Sequence, residues 1–197
     1  NGALAIASNT YGAATGYGVQ TKLLTDKLLK HGVQVAILSN YGLEARFDTI
    51  KTPNGVIQHY PKGLKPYSDD VIPLWYDHFM AQHPNRVGKL LTLYDVWVYN
   101  DLKFDEEIIS WVPLDHVTTP PGVVKFLQRP NVTPVAMSPF GHEVMTSEGI
   151  NNTYIPHAVD TKVFKPTSKA FGQPTRELLD VPEDAFLVSM VSANKAN

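Results

Sequence analysis

Asp115-His116, followed closely by Thr118 and Thr119, carries the sharpest chemical signal in the chain. A carboxylate or an imidazole at that spacing can accept a proton from a hydroxyl nucleophile. Residues 10–18 hold Gly12, Gly16 and Gly18, which let backbone N–H groups and a helix N-terminus approach an anionic or polyol ligand. Asp95 and Trp97 fall in a third cluster, where the indole could stack on a sugar ring. His157 and Asp160 share the turn Pro156-His157-Ala158-Val159-Asp160, and His142 follows Ser138-Pro139. Each cluster also has a plainer explanation. Asp115 can be a cap beside a surface histidine, residues 157–160 a structural clasp, and the glycines a loop leading into a helix.

Several chemistries are absent from the sequence. Gly16-Tyr17-Gly18 is followed by Val19-Gln20-Thr21, so the third glycine of a dinucleotide fingerprint is missing, and the second strand ends on Ser39-Asn40 rather than an acid. No phosphate-loop Gly-Lys-Ser/Thr motif is present. The seven histidines show neither H-E-x-x-H nor His-x-His spacing, and no Asp-x-Asp pair occurs, so no metal site is expected. The chain has no Cys, which removes disulfides, thiolate zinc sites and a cysteine nucleophile, and fits a reducing, cytoplasmic location.

These clusters need elements to hold them. The 197 residues are 43% hydrophobic and 18% charged, with 17 Lys and Arg against 19 Asp and Glu. That is globular composition, and the net charge of −2 gives no counterion-release surface for nucleic acid. No apolar run is long enough to span a bilayer. Residues 4–8 read as a buried strand, with a loop to about Gly16. A helix follows, with Val19, Leu23, Leu24 and Leu28 on its core face and Gly32 as its terminator. Residues 33–38 form the second strand, completing a right-handed βαβ unit. Thr52-Pro53-Asn54-Gly55 is turn chemistry between two short strands at 48–51 and 56–60. A helix is expected over 71–82, then strands over 89–94, 108–113, 134–138 and 152–155, with helices opening at Pro120-Pro121 and Pro139. Residues 163–174 read as a linker, 175–179 as a short helix and 186–191 as a further strand. The expectation is an α/β, Rossmann-like, doubly wound and mainly parallel sheet. Every chemical cluster follows a strand, where open α/β sheets bind ligands.

Residues 155–166, Ile-Pro-His-Ala-Val-Asp-Thr-Lys-Val-Phe-Lys-Pro, resemble the segment closing the N-terminal domain of retaining GT-B glycosyltransferases of the GT4 type. Residues 15–21 resemble that family's glycine loop, 111–116 its strand leading to a catalytic-site residue, and 188–195 the first strand of its nucleotide-sugar domain. Tyr17 stands where the family has the second of its paired glycines, and Ala158 where it has Gly. The resemblance implies a GT-B N-terminal domain over residues 1–166, and over 167–197 a linker and the start of a truncated C-terminal domain. It implies a glycosyltransferase that moves a sugar from a nucleotide-diphosphate sugar to an acceptor with retention, needing no cofactor or metal. Gly16, Tyr17 and Gly18 would lie near donor phosphate and acceptor. Asp115 or His116 would contact the transferred sugar, as catalytic residues, and Asp95, Trp97, His157 and Asp160 would line the substrate site. The partners would be a sugar donor, an acceptor and the missing C-terminal domain, without which this fragment would be inactive. Neither nucleic acid nor a transmembrane segment is implied, and peripheral membrane contact stays open. Two other readings stay open: a sugar-nucleotide epimerase on the same fold, and a non-catalytic module that binds a sugar or partner.

Overall fold

Gly2–Ser8 alternates Ala with Leu and Ile and has no polar face, which suits a strand covered on both sides. It forms β1, the centre of an eight-stranded sheet, and every residue after Gly2 is buried. The computed structural model describes residues 2–42, 47–99, 101–166, 169–188 and 190. After β1 come α1 (Gly16–Lys30), β2 (Gln34–Ser39), β3 (Asp48–Thr52), β4 (Gly55–Tyr60) and α2 (Ile72–Ala81). They are followed by β5 (Val87–Thr92), a 3-10 turn (Val96–Tyr99), β6 (Ile108–Val112), α3 (Pro121–Leu127), β7 (Val132–Ala136), α4 (Pro139–Ser147) and β8 (Thr153–Tyr154). The strand order is β3-β4-β2-β1-β5-β6-β7-β8, parallel throughout except for the β3–β4 hairpin at one edge. The fold is α/β, a Rossmann-like doubly wound sheet.

Chain direction and handedness decide where the helices go. From β1 the chain moves outward through β2 and β4, then returns to β1's other side and moves outward again from β5 to β8. Right-handed crossovers in opposite directions place their helices on opposite faces. Leu24, Leu28 and Leu29 of α1 pack with Leu4, Ile6, Val35 and Ile37. Tyr76 and Phe79 of α2, Val123 and Phe126 of α3 and Met145 of α4 pack with Ala3, Ala5 and Ala7 on the other face. The alanines of β1 are small where the opposing aromatics are large, so the two sides interdigitate.

The core face of α1 differs from the expected one. Val19 is 48% exposed, and the buried residues are Gly18, Gln20, Thr21, Thr25 and Leu29. The buried stripe is rotated and largely polar: Thr21 bonds to the end of β1, Gln20 bonds to Ala158, and the Thr25 hydroxyl is buried without a partner among the described residues. Thr21 Oγ1 donates to Ser8 Oγ at 2.8 Å. Gly32 terminates the helix as expected, at φ 75°, while Val33 N–H bonds back to Leu28 O at 3.2 Å.

By its internal contacts the chain divides into Asn1–Ala158 and Val159–Asn197. The second unit holds a turn after Asp160 and α5 (Lys169–Leu178). That helix begins inside the stretch expected to be a linker and runs through Pro174. The strand expected over 186–191 is not found: residues 186–188 and 190 are irregular, and 189 and 191 lie outside the described residues. No described segment of this unit offers a partner strand, and an apolar run without one forms no ladder.

His59 on β4 tests the burial directly. It is 1% exposed, lies beside Ile37 of β2, and neither ring nitrogen has a hydrogen-bond partner. Burial lowers its pKa from 6.5 to about 4, opposed only in part by Asp48 across the hairpin. Between these values the unfolded chain binds a proton that the folded chain refuses, so stability is present at neutral pH and lost on acidification. Urea unfolding should show about 2–3 kcal/mol of such loss between pH 7 and 4.5. The substitution His59→Leu should flatten that slope, and equal slopes in the two proteins would refute the assignment.

Candidate active site

Strand order reverses between β1 and β5, and the loops at their carboxyl ends must part there. Asn9 and the glycine loop leave β1 on one side, and Leu93, Tyr94 and Asp95 leave β5 on the other. Asn9, 8% exposed, joins the two. Its Oδ1 accepts from Tyr94 Oη at 2.6 Å, and its Nδ2 donates to Thr15 Oγ1 at 2.8 Å. Thr15 is the N-cap of α1, and its Oγ1 also accepts from Gly18 N–H at 3.0 Å. The next amide in the helix, Val19 N–H, bonds Thr15 O at 3.0 Å. The Gly16 and Tyr17 amides lie ahead of these in the first turn, which has no intrahelical acceptors for them.

The three loop glycines have different reasons to be glycine. Gly12 has φ 75°, in the left-handed region. A Cβ on Gly18 would lie 2.7 Å from Ala13 Cβ and 2.9 Å from Ala13 C, because the loop folds back against the helix. Around Gly16 nothing lies within 4 Å of a Cβ, so that side stands open.

Tyr17 reaches from the first turn of α1 across the reversal point. Its Oη donates to Asp95 Oδ2 at 2.8 Å, and its ring packs edge-on to Tyr94 with centroids 5.4 Å apart. Burial, then the hydrogen bond to Asp95, pushes the phenol pKa well above its ordinary range, with Asp115 adding to the rise. Tyr17 therefore acts as a neutral donor that orients the Asp95 carboxylate. Asp95, Trp97, Asp115 and His116 line one small pocket of about 40 Å³, floored by Val96, Val112 and Val123. That is room for about one water or one hydroxyl. Asp115 Oδ1 and His116 Nδ1 pair at 2.6 Å, and both side chains are mostly exposed. The structure thus brings five of the expected residues together: Tyr17, Asp95, Trp97, Asp115 and His116.

His157 stands apart from that group. The His157 ring packs edge-on to Trp111 at 5.4 Å, with Nε2 against the Met137 sulfur, and burial lowers its pKa. Trp111 and Met137 belong to the α1 face, whereas the pocket is floored by residues of the α3 face. Asp160, in the second unit, caps its own turn, accepting from Lys162 N–H at 2.9 Å. In the structure Asp160 is a turn former and His157 a packing residue that does not line the pocket.

Two residues of the site went unnoticed in the sequence. Asn9 carried a signal, a carboxamide directly after a strand, which a search for acids and histidines passes over. Gln20 carried none. Its carboxamide clamps Ala158, accepting from its N–H at 2.8 Å and donating to its carbonyl at 2.9 Å, across 138 residues of sequence. A larger open hollow of about 660 Å³ is lined by Lys65, Asp69, Asp101 and Arg129. There Lys65 pairs with Asp69 at 3.4 Å and with Asp101 at 3.9 Å, and Arg129 Nη2 donates to Leu102 O at 3.0 Å. Among the described residues no three His, Asp or Glu side chains gather as a metal ion needs.

Gly18→Ala should lower stability by about 1–3 kcal/mol in urea unfolding, as overpacking against a backbone does. Gly16→Ala should stay within about 0.5 kcal/mol or gain slightly. Comparable losses in both variants would contradict the folded-back loop. Compared with known proteins, the chain matches no family model and no curated protein.

Proposed function

We propose that this chain supplies the acceptor side of a retaining glycosyltransferase that uses a nucleotide-diphosphate sugar. The observation that carries the reading is the pocket between the loops that leave β5 and β6, where two carboxylates, an imidazole and an exposed indole meet, tied to the first turn of α1 by the Tyr17–Asp95 hydrogen bond. The resemblance of residues 15–21, 111–116 and 155–166 to GT4 enzymes agrees with it. In this reading the donor diphosphate approaches the open side of the loop at Gly16, where the Gly16 and Tyr17 amides meet it. Gly18 holds the loop in place. Tyr17 orients Asp95 by donating to it. The acceptor hydroxyl enters the pocket and is held by Asp115 or His116, whichever accepts its proton as the new glycosidic bond forms and the bond from the anomeric carbon to the diphosphate breaks, the nucleoside diphosphate leaving against the Gly16 and Tyr17 amides. His157 supports the chain by packing on Trp111 and Met137 rather than touching substrate. The GT-B architecture and a nucleotide-sugar domain following residue 166 belong to the same proposal.

The test is turnover with a panel of nucleotide-diphosphate sugars and glycoside acceptors, using the protein as its gene encodes it. Product anomeric configuration is read by proton NMR. Retention is expected, and Asp115→Asn or His116→Ala should lower kcat by about 10²–10⁴-fold for the residue that takes the proton. Donor epimerisation without an acceptor would replace this reading with an epimerase. Unchanged transfer in both variants would make the pair structural.

A further inference from the structure

We infer that the acceptor taken by this pocket is a neutral pyranoside, seated on Trp97, and not a phosphorylated sugar or a lipid phosphate. The inference rests on the transferase reading and names the substrate class it leaves open. Trp97 is a built platform. It sits in the 3-10 turn after β5, where Val96 and Tyr99 on either side are each 1% exposed while Trp97 is 53% exposed. The turn is closed by Val98 N–H on Asp95 O at 3.2 Å. Tyr67 packs edge-on to Trp97 at 5.9 Å, Tyr67 to Tyr94 at 6.5 Å, and Tyr94 to Tyr17 at 5.4 Å. This ladder of rings ends where Tyr17 bonds Asp95. A half-open indole held by its neighbours loses little rotamer freedom on binding, and it offers an apolar face to the C–H face of a sugar ring.

The groups around the indole are hydrogen-bond acceptors. Asp95 Oδ2 is taken by Tyr17, and among the described residues no hydrogen bond occupies Oδ1. Asp115 is mostly exposed beside it. Two carboxylates next to an aromatic face match the vicinal hydroxyls of a pyranose, which donate. Among the described residues, His116 is the only one lining the pocket that can carry positive charge, and it is paired with Asp115; no described Lys or Arg lines it. A phosphate would therefore face like charge without a partner.

The experiment titrates the chain with methyl hexopyranosides and with the corresponding hexose 6-phosphates. It follows the three indole N–H resonances, with Trp97 assigned through Trp97→Phe. Neutral glycosides should shift the Trp97 signal at millimolar concentration, and the phosphates should need at least ten-fold more. With binding followed by saturation transfer from protein to glycoside protons, Trp97→Ala should weaken glycoside binding ten-fold or more and Trp97→Phe less. Asp115→Asn should narrow the gap between neutral and phosphorylated ligands, a change that a purely structural role for Asp115 would not produce. Phosphates binding as well as glycosides, or a Trp97 signal unmoved by the whole panel, would overturn the inference. Glycoside binding at Trp97 without nucleotide-sugar turnover would overturn the transferase reading alone. Turnover confined to phosphorylated acceptors would overturn this inference alone.

Discussion

The parallel pairing of β1 on both of its edges is the constraint from which the rest of the molecule follows. Ile6 lies in register with Ile37 of β2 on one side and with Leu91 of β5 on the other. Parallel neighbours need long crossovers, and those crossovers keep one hand. With β2 and β5 lying in opposite directions from β1, α1 must cover one face and α2 and α3 the other. The loops leaving β1 and β5 then diverge, and a crevice opens between them whatever their sequences are. What those sequences decide is which chemistry lines it.

That lining is held by polar contacts as much as by the core. The chain from Tyr94 through Asn9 to Thr15 and Gly18 N–H links the end of β5 to the first turn of α1. Each member is buried or half-buried, and each donor meets an acceptor, which such a network must do to stabilise rather than strain the fold. Tyr17 adds a second link by donating to Asp95. The Gln20 carboxamide ties the same helix to Ala158. α1 therefore serves as a shared anchor, and its polar inner face is the reason. An apolar stripe would have packed equally well against the sheet but could not have fastened the loops at its end.

Features set by a few adjacent residues were legible in the sequence. Gly55 at φ 148° ends the turn of the β3–β4 hairpin, Thr15 caps α1, Pro121 begins α3 and Pro139 begins α4. Asp95, Trp97, Asp115 and His116 were found because they follow strands, and strand ends converge in this class of sheet. The core face of α1 differs from the one periodicity predicts because periodicity counts apolar side chains, and Thr21, Thr25 and Gln20 are buried polar ones. His157 was grouped with the pocket because it too follows a strand, but it leaves on the α1 side, packed on Trp111 and Met137.

By itself, then, the sequence determined the element types through β8, the turns and the residues with chemical potential, since those depend on local steric preference and on side-chain identity. Only the tertiary structure decided which of those residues meet. Tyr17 and Asp95 are 78 positions apart, and Gln20 and Ala158 are 138 apart. Such pairs form because strand order and crossover hand bring distant loops to one edge of the sheet, a consequence of the whole chain's packing that no local stretch encodes.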